Sequence, residues 1–127
     1  MIFGIGTDIV AHARIEALHT RYGNRFAQRV LSPVEFLEYG THADPVRLLM
    51  KRFAAKEALA KAVGSGMRHP VSFQRISVAH DAMGKPVFEF DPELAVHIKQ
   101  LGVARHHLSI SDERDVAVAF VVLEGKK

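Results

Sequence analysis

Two carboxylates stand where their surroundings are apolar. Asp8 lies in Gly6-Thr7-Asp8-Ile9-Val10, an acidic residue among strand-forming residues and next to two glycines. Glu57 lies in the longest helical stretch, about Val46 to Val63. At about 100° per residue, Val46, Leu49, Met50, Phe53 and Ala60 form one apolar stripe there, and Glu57 falls inside it. Leu48, Leu59 and Val63 make a second apolar side. Burying a carboxylate alone is costly, so each needs a partner, a metal or the rim of a cleft. Lys61 follows Glu57 at i+4, within reach of it or of a ligand beside it. Two oxygen ligands from separate elements, with water completing the shell, is a usual way to hold Mg²⁺ near a phosphate. The plainer alternatives are Asp8 as a helix cap and Glu57–Lys61 as a surface ion pair.

Other candidates are weaker on spacing alone. Arg47, Lys51, Arg52, Lys56 and Lys61 surround the same helix, and a solvated basic face is their default reading. Gly64-Ser65-Gly66 reads first as a helix stop and second as a loop admitting a phosphate against backbone N–H groups. His107 shares the polar side of its strand with Ser109 and Ser111. There is no G-x-x-x-x-G-K-[ST], no G-x-G-x-x-G and no histidine cluster with metal-ligand spacing.

These residues need elements to carry them. Ile2 to Val10 reads as a strand, and Ala13 to Tyr22 as a helix with Ile15, Leu18 and Tyr22 on one side. Ser32-Pro33-x-Glu35 is a capping box that starts a short helix to about Tyr39. Asp44-Pro45 starts the long helix, ended by Gly64-Ser65-Gly66. Val71 to His80 and Pro86 to Phe90 flank a hairpin signal at Asp81-Ala82-Met83-Gly84. Asp91-Pro92 caps a helix to about Leu101. Arg105 to Ser111 alternates, with Leu108 and Ile110 facing one way and His107, Ser109 and Ser111 the other. Val116 to Leu123 is apolar on both faces, which predicts a central strand buried on both sides. The sum is an α+β fold: a single domain over residues 1–127, with helices packed on a mainly antiparallel sheet.

Composition narrows the function classes. The chain has 127 residues, 48% hydrophobic and 24% charged, the size and balance of one globular domain. No apolar run reaches the roughly 18–20 residues of a membrane span, and Met1 to Gly6 lacks the features of a secretory signal. Cysteine is absent, which excludes thiolate chemistry and fits a reducing, cytoplasmic setting. A net charge of +3 favours an anionic partner: nucleic acid, a phosphorylated small molecule or an acidic protein. With no Trp and only 2 Tyr, a stacking platform for single strands is poorly supplied.

Taken together, Gly6-Thr7-Asp8-Ile9-Val10, Arg14-Ile15-Glu16 and Lys51-Arg52-Phe53-Ala54-Ala55-Lys56-Glu57-Ala58-x-x-Lys61-Ala62 resemble the bacterial holo-[acyl-carrier-protein] synthases, the small, trimeric 4′-phosphopantetheinyl transferases. The resemblance runs the length of the chain, through Leu31-Ser32-x-x-Glu35, Gly84-Lys85-Pro86 and His107-Leu108-Ser109-Ile110-Ser111. It implies transfer of the 4′-phosphopantetheine arm of coenzyme A to a serine of apo acyl carrier protein. The implied by-product is adenosine 3′,5′-bisphosphate, the implied cofactor Mg²⁺, and the implied setting cytoplasmic fatty acid biosynthesis, with no nucleic acid or membrane partner. Asp8 and Glu57 match the family's metal ligands, and Lys61 its contact to the transferring phosphate. Glu57, directly or through a metal-bound water, is then the expected base. Arg52 and His107 match positions near the 3′-phosphate and adenosine, with Lys61, Gly64, Ser65 and Gly66 completing the expected donor site.

The same resemblance implies a homotrimer with its sites at subunit boundaries. It implies that the acidic recognition helix of the carrier docks on Arg14, Leu18 and Arg21, extended by Arg25. Three departures stand out. Ala11-His12 follows the first motif where many relatives place an acidic residue. Val10 replaces the second acidic residue of the larger, monomeric class, leaving two protein carboxylates. Asp112 stands where many members have histidine. Two other classes fit parts of the chain: a basic nucleic-acid-binding module, and a Mg²⁺-dependent phosphohydrolase using the same carboxylates.

Overall fold

The computed structural model describes residues 1–126. The chain runs β1 (Ile2–Ala11), α1 (His12–Tyr22), α2 (Asn24–Val30), α3 (Pro33–Tyr39), α4 (Pro45–Val63), a 3₁₀ turn (Phe73–Arg75), β2 (Ile76–His80), β3 (Pro86–Phe90), α5 (Pro92–Gln100), β4 (Val103–Asp112) and β5 (Val116–Gly125). A three-stranded antiparallel sheet has the order β1-β5-β4, and β2 pairs with β3 as a separate antiparallel hairpin. The α+β class expected from the sequence is what forms.

Local chemistry sets the helix starts. The Ser32 hydroxyl accepts from the Glu35 N–H while the Glu35 carboxylate accepts from the Ser32 N–H, closing the capping box of α3. Asp44 accepts from the Arg47 N–H at the start of α4, with Pro45 in the first turn. Gly64, at φ 95°, ends α4 in the left-handed conformation open to glycine. Helix α4 then lies along one face of the three-stranded sheet, and Leu49, Met50, Ala54, Ala55, Ala58 and Leu59 are fully buried there or against the other helices.

Two expectations need correcting. Strand β5 is central, but it is buried on one face only. Ala117, Ala119, Val121 and Leu123 face α4 and are fully buried, whereas Val118 and Phe120 are 36% and 44% exposed on the other face. Ile5 and Ile9 of neighbouring β1 are exposed beside them. Only one side of the sheet carries a helix, so the second apolar side has no cover among the described residues. The expected strand from Val71 also starts later, at Ile76. Its partner β3 ends at Phe90, because Asp91 turns to cap α5 by accepting from the Leu94 N–H. No strand remains to pair with residues 71–75, and Phe73–Arg75 coil into the 3₁₀ turn.

Candidate active site

Asp8 sits on the helix-facing side of β1, opposite Ala119 of β5. Its Oδ1 accepts from Lys61 Nζ at 3.2 Å, and the same ammonium donates to the Thr7 carbonyl at 3.0 Å. Lys61 thus reaches across to β1 instead of pairing with Glu57 on its own helix. Asp8 Oδ2 is buried and accepts no hydrogen bond. Glu57 is half-buried, and its carboxyl is pushed above the ordinary range. Burial is the main cause and the Asp8 charge the second, while Lys61 and Arg14 act in the opposite direction.

A buried carboxylate oxygen without a donor, beside a second carboxylate raised by burial and then by like charge, is a donor set suited to a hard divalent cation. The residues present therefore fit Mg²⁺. Among the described residues no third Asp, Glu, His or Cys joins them in a metal-holding group, so a bound Mg²⁺ would take at most these two carboxylates from this chain.

An apolar pocket of about 660 Å³ lies between α1, α2, α4 and the 3₁₀ turn, and its lining residue Phe53 is one helical turn before Glu57. Leu18 and Arg25 line it, as do Tyr22, Phe26, Phe53 and Phe73. The Phe53 and Phe73 rings stack at 5.3 Å. The Arg14 guanidinium lies 5.2 Å from the Phe53 ring centroid, a cation–π contact one helical turn before Glu57. Arg21 lies at the same distance over Tyr22. Of the four expected docking residues, Leu18 and Arg25 line this pocket, whereas Arg14 and Arg21 only touch its aromatic lining residues Phe53 and Tyr22. Sequence reading does not single out Phe53, Phe73 or the basic lining residue Arg29 as site residues. Aromatic residues at helical spacing look like core, and the apolar pattern from Val71 places Phe73 within a strand.

Residues 4–121 match the 4′-phosphopantetheinyl transferase superfamily. The holo-[acyl-carrier-protein] synthase of Nitrosospira multiformis is 56% identical over 98% of this chain and 99% of its own. The solved synthase of Neisseria meningitidis is 52% identical over 98% and 99% of the two chains, with a TM-score of 0.95. A synthase from Bacillus anthracis, solved in complex with CoA (3′,5′-ADP), is 37% identical over 99% of each chain, with a TM-score of 0.81. The chain belongs to the holo-[acyl-carrier-protein] synthase family of phosphopantetheinyl transferases.

Within the chain of this transferase, three parts of the expected donor site make contacts of their own. Arg52 is not presented to a ligand. Its guanidinium is buried and donates to Glu35 and Glu38 at 3.2 Å each, so its charge is already committed. The Gly64 and Gly66 N–H groups both donate to the Ala60 carbonyl, closing the end of α4 instead of facing a phosphate. The Ser65 hydroxyl donates to the Gly66 carbonyl. His107 is exposed on the sheet face away from α4, paired with Glu124 at 2.8 Å, and so lies apart from Asp8 and Glu57.

The transferase also holds a buried cation that sequence reading assigns to a solvated face. Lys56 is fully buried, and its ammonium donates to Glu35 Oε1 and to the carbonyls of Val30 (2.7 Å) and Phe73 (2.9 Å). Only the distant capping-box carboxylate of Glu35 could have signalled it.

Proposed function

We propose that the chain transfers the 4′-phosphopantetheine arm of coenzyme A to a serine hydroxyl of apo acyl carrier protein in a Mg²⁺-dependent reaction, supplying holo carrier for fatty acid biosynthesis in the cytoplasm. The observation that carries this reading is the Asp8–Glu57 pair, with the donorless buried Asp8 Oδ2 beside a carboxyl pushed up by burial and, second, by the Asp8 charge. Mg²⁺ held by Asp8 and Glu57 would supply charge neutralisation at the pyrophosphate.

The serine oxygen bonds to the phosphorus that carries pantetheine, and the bond from that phosphorus to adenosine 3′,5′-bisphosphate breaks. Glu57 takes the serine proton, a role suited by its raised proton affinity. Lys61, steadied by Asp8 and Thr7 with half of its side chain exposed, presents its ammonium to the transferring phosphate as charge develops there.

The acceptor's acidic helix is assigned to Arg14, Leu18, Arg21 and Arg25, supported by the basic rim and aromatic walls of the 660 Å³ pocket. We assign the uncovered sheet face to the contacts of a homotrimer, supported by Ile5 at 59% and Ile9 at 68% exposure beside Val118 and Phe120. His107 lies on that face, so a subunit seated there would place it at a boundary site for the adenosine end of coenzyme A.

Incubation with coenzyme A, Mg²⁺ and an apo carrier protein, read by intact mass, tests the reading. The carrier should gain one phosphopantetheine. Coenzyme A cleavage with an unmodified carrier would assign a phosphohydrolase instead.

A further inference from the structure

Lys56 stands directly behind the wall of the pocket that Phe53 and Phe73 line. All three of its ammonium protons are used, and two of the acceptors, the carbonyls of Val30 and Phe73, belong to residues that line that pocket. The third acceptor, Glu35 Oε1, is itself fixed. Glu35 also accepts from the Ser32 N–H (2.9 Å), the Val78 N–H (2.9 Å) and Arg52 (3.2 Å), so it joins α3, β2 and α4. From Lys56 the chain of contact continues outward. The captured Phe73 carbonyl holds the 3₁₀ turn, the Phe73 ring stacks on Phe53, and Phe53 carries the Arg14 guanidinium next to Glu57.

A buried ion pair of this kind is seldom more stabilising than apolar side chains of equal volume. What it adds is direction, because three fixed acceptors determine where the ammonium and their own backbones lie. We propose that Lys56, anchored by Glu35, is a positioning residue that sets the Phe73–Phe53 wall of the pocket and thereby the grip on the acceptor protein. It touches neither donor nor acceptor, since it is fully buried. The inference rests on the transferase reading and deepens it by naming what shapes the acceptor side of the site.

The test compares the native protein with Lys56→Met, with the paired variant Glu35→Gln/Lys56→Met that removes both charges of the pair, and with Phe73→Ala. With coenzyme A, Mg²⁺ and an apo carrier protein, each variant should raise the carrier KM by about tenfold, the scale of losing one good interface anchor. The KM for coenzyme A should stay within about twofold, below the scale of one missing anchor. NMR with labelled phenylalanine should show that the Phe53 and Phe73 rings no longer stack in Lys56→Met. A role confined to stability predicts both KM values unchanged and kcat falling in step with the folded fraction, and that outcome overturns the proposal. If both lysine variants fail to fold, Phe73→Ala decides, because it keeps the carbonyl that Lys56 holds, and an unchanged carrier KM overturns the proposal. If the native protein modifies no carrier, the transferase reading fails, and the stacking of the two rings alone judges whether Lys56 sets the wall.

Discussion

A Cβ on Gly6 would stand 2.0 Å from the carbonyl oxygen of Ala58, so β1 and α4 meet backbone against backbone. A Cβ on Gly4 would stand at the same distance from the Ala62 carbonyl oxygen. Asp8 follows Gly6 by two residues and Glu57 precedes Ala58 by one, so this contact sets how closely the two carboxylates approach. Gly6→Ala must push the strand off the helix, at a cost of about 1–3 kcal/mol from overpacking. The Mg²⁺ concentration for half-maximal activity should rise, and excess Mg²⁺ should recover part of the rate. An unchanged Mn²⁺ affinity by calorimetry would show that the strand–helix spacing does not govern the pair.

Asp8→Asn and Glu57→Gln should each lower turnover by roughly 10²–10³-fold, the scale of losing one fixed group that stabilises developing charge. The fold should survive, because neither side chain belongs to the buried core. Removing the Asp8 charge should also lower the proton affinity of Glu57, since that charge is one of its two raising causes. A carboxyl ¹³C titration of Glu57 in Asp8→Asn reads this directly, and an unmoved midpoint would separate the two groups.

Arg52 and Lys61 should part company. Arg52→Ala leaves Lys56 as the only cation on Glu35 and frees Glu38, so it should cost stability, by about 3–5 kcal/mol for a broken buried pair, and leave the coenzyme A KM near native. Lys61→Ala should leave the melting temperature near native and lower kcat by roughly 10²-fold. Thermal melts beside steady-state kinetics check both; a large coenzyme A defect in a stable Arg52→Ala would return that residue to the donor site.

Arg14 and Arg21 also have separable effects, although they share a helix. Arg14 acts on Glu57, whereas Arg21 lies over Tyr22. Arg14→Glu should lower kcat as well as raise the carrier KM, and Arg21→Glu should change the KM alone. Both KM defects should shrink relative to native as salt rises, because exposed charges are screened over about 8–10 Å at 0.1–0.15 M. Kinetics at two ionic strengths would expose an equal kcat for the two variants, which would contradict the placement of Arg14.

Lys56 gives stability a pH dependence with a definite sign. Burial, partly offset by Glu35, lowers its pKa from 10.5 to about 8. Between those values the unfolded chain binds the proton and the folded chain does not, so stability rises with pH through that window. The slope approaches roughly 1.4 kcal/mol per pH unit at most. Arg52 remains to hold the Glu35 charge once Lys56 is neutral. Denaturant midpoints from pH 7.5 to 9.5 should climb in the native protein and stay flat in Lys56→Met; a native midpoint that falls would reverse the assignment.

Local sequence chemistry specified most of the elements and the two anomalous carboxylates, but not the 3₁₀ turn at Phe73–Arg75. Caps, glycine stops and apolar periods act over a few residues, so Ser32-Pro33-x-Glu35 and Asp44-Pro45 start helices where their local chemistry says. Asp8 and Glu57 stand out because an acid inside an apolar pattern is a local contradiction. Tertiary structure alone decided which cations are solvated and which faces are covered. Lys56 and Arg52 look like surface residues in their own helix, yet Glu35, 21 and 17 positions away, draws both inside. Val116 to Leu123 looks buried on both sides, yet among the described residues only one face meets a helix. Solvation of a charge and cover of a face depend on what stands opposite in space, and that depends on contacts between residues far apart in the chain.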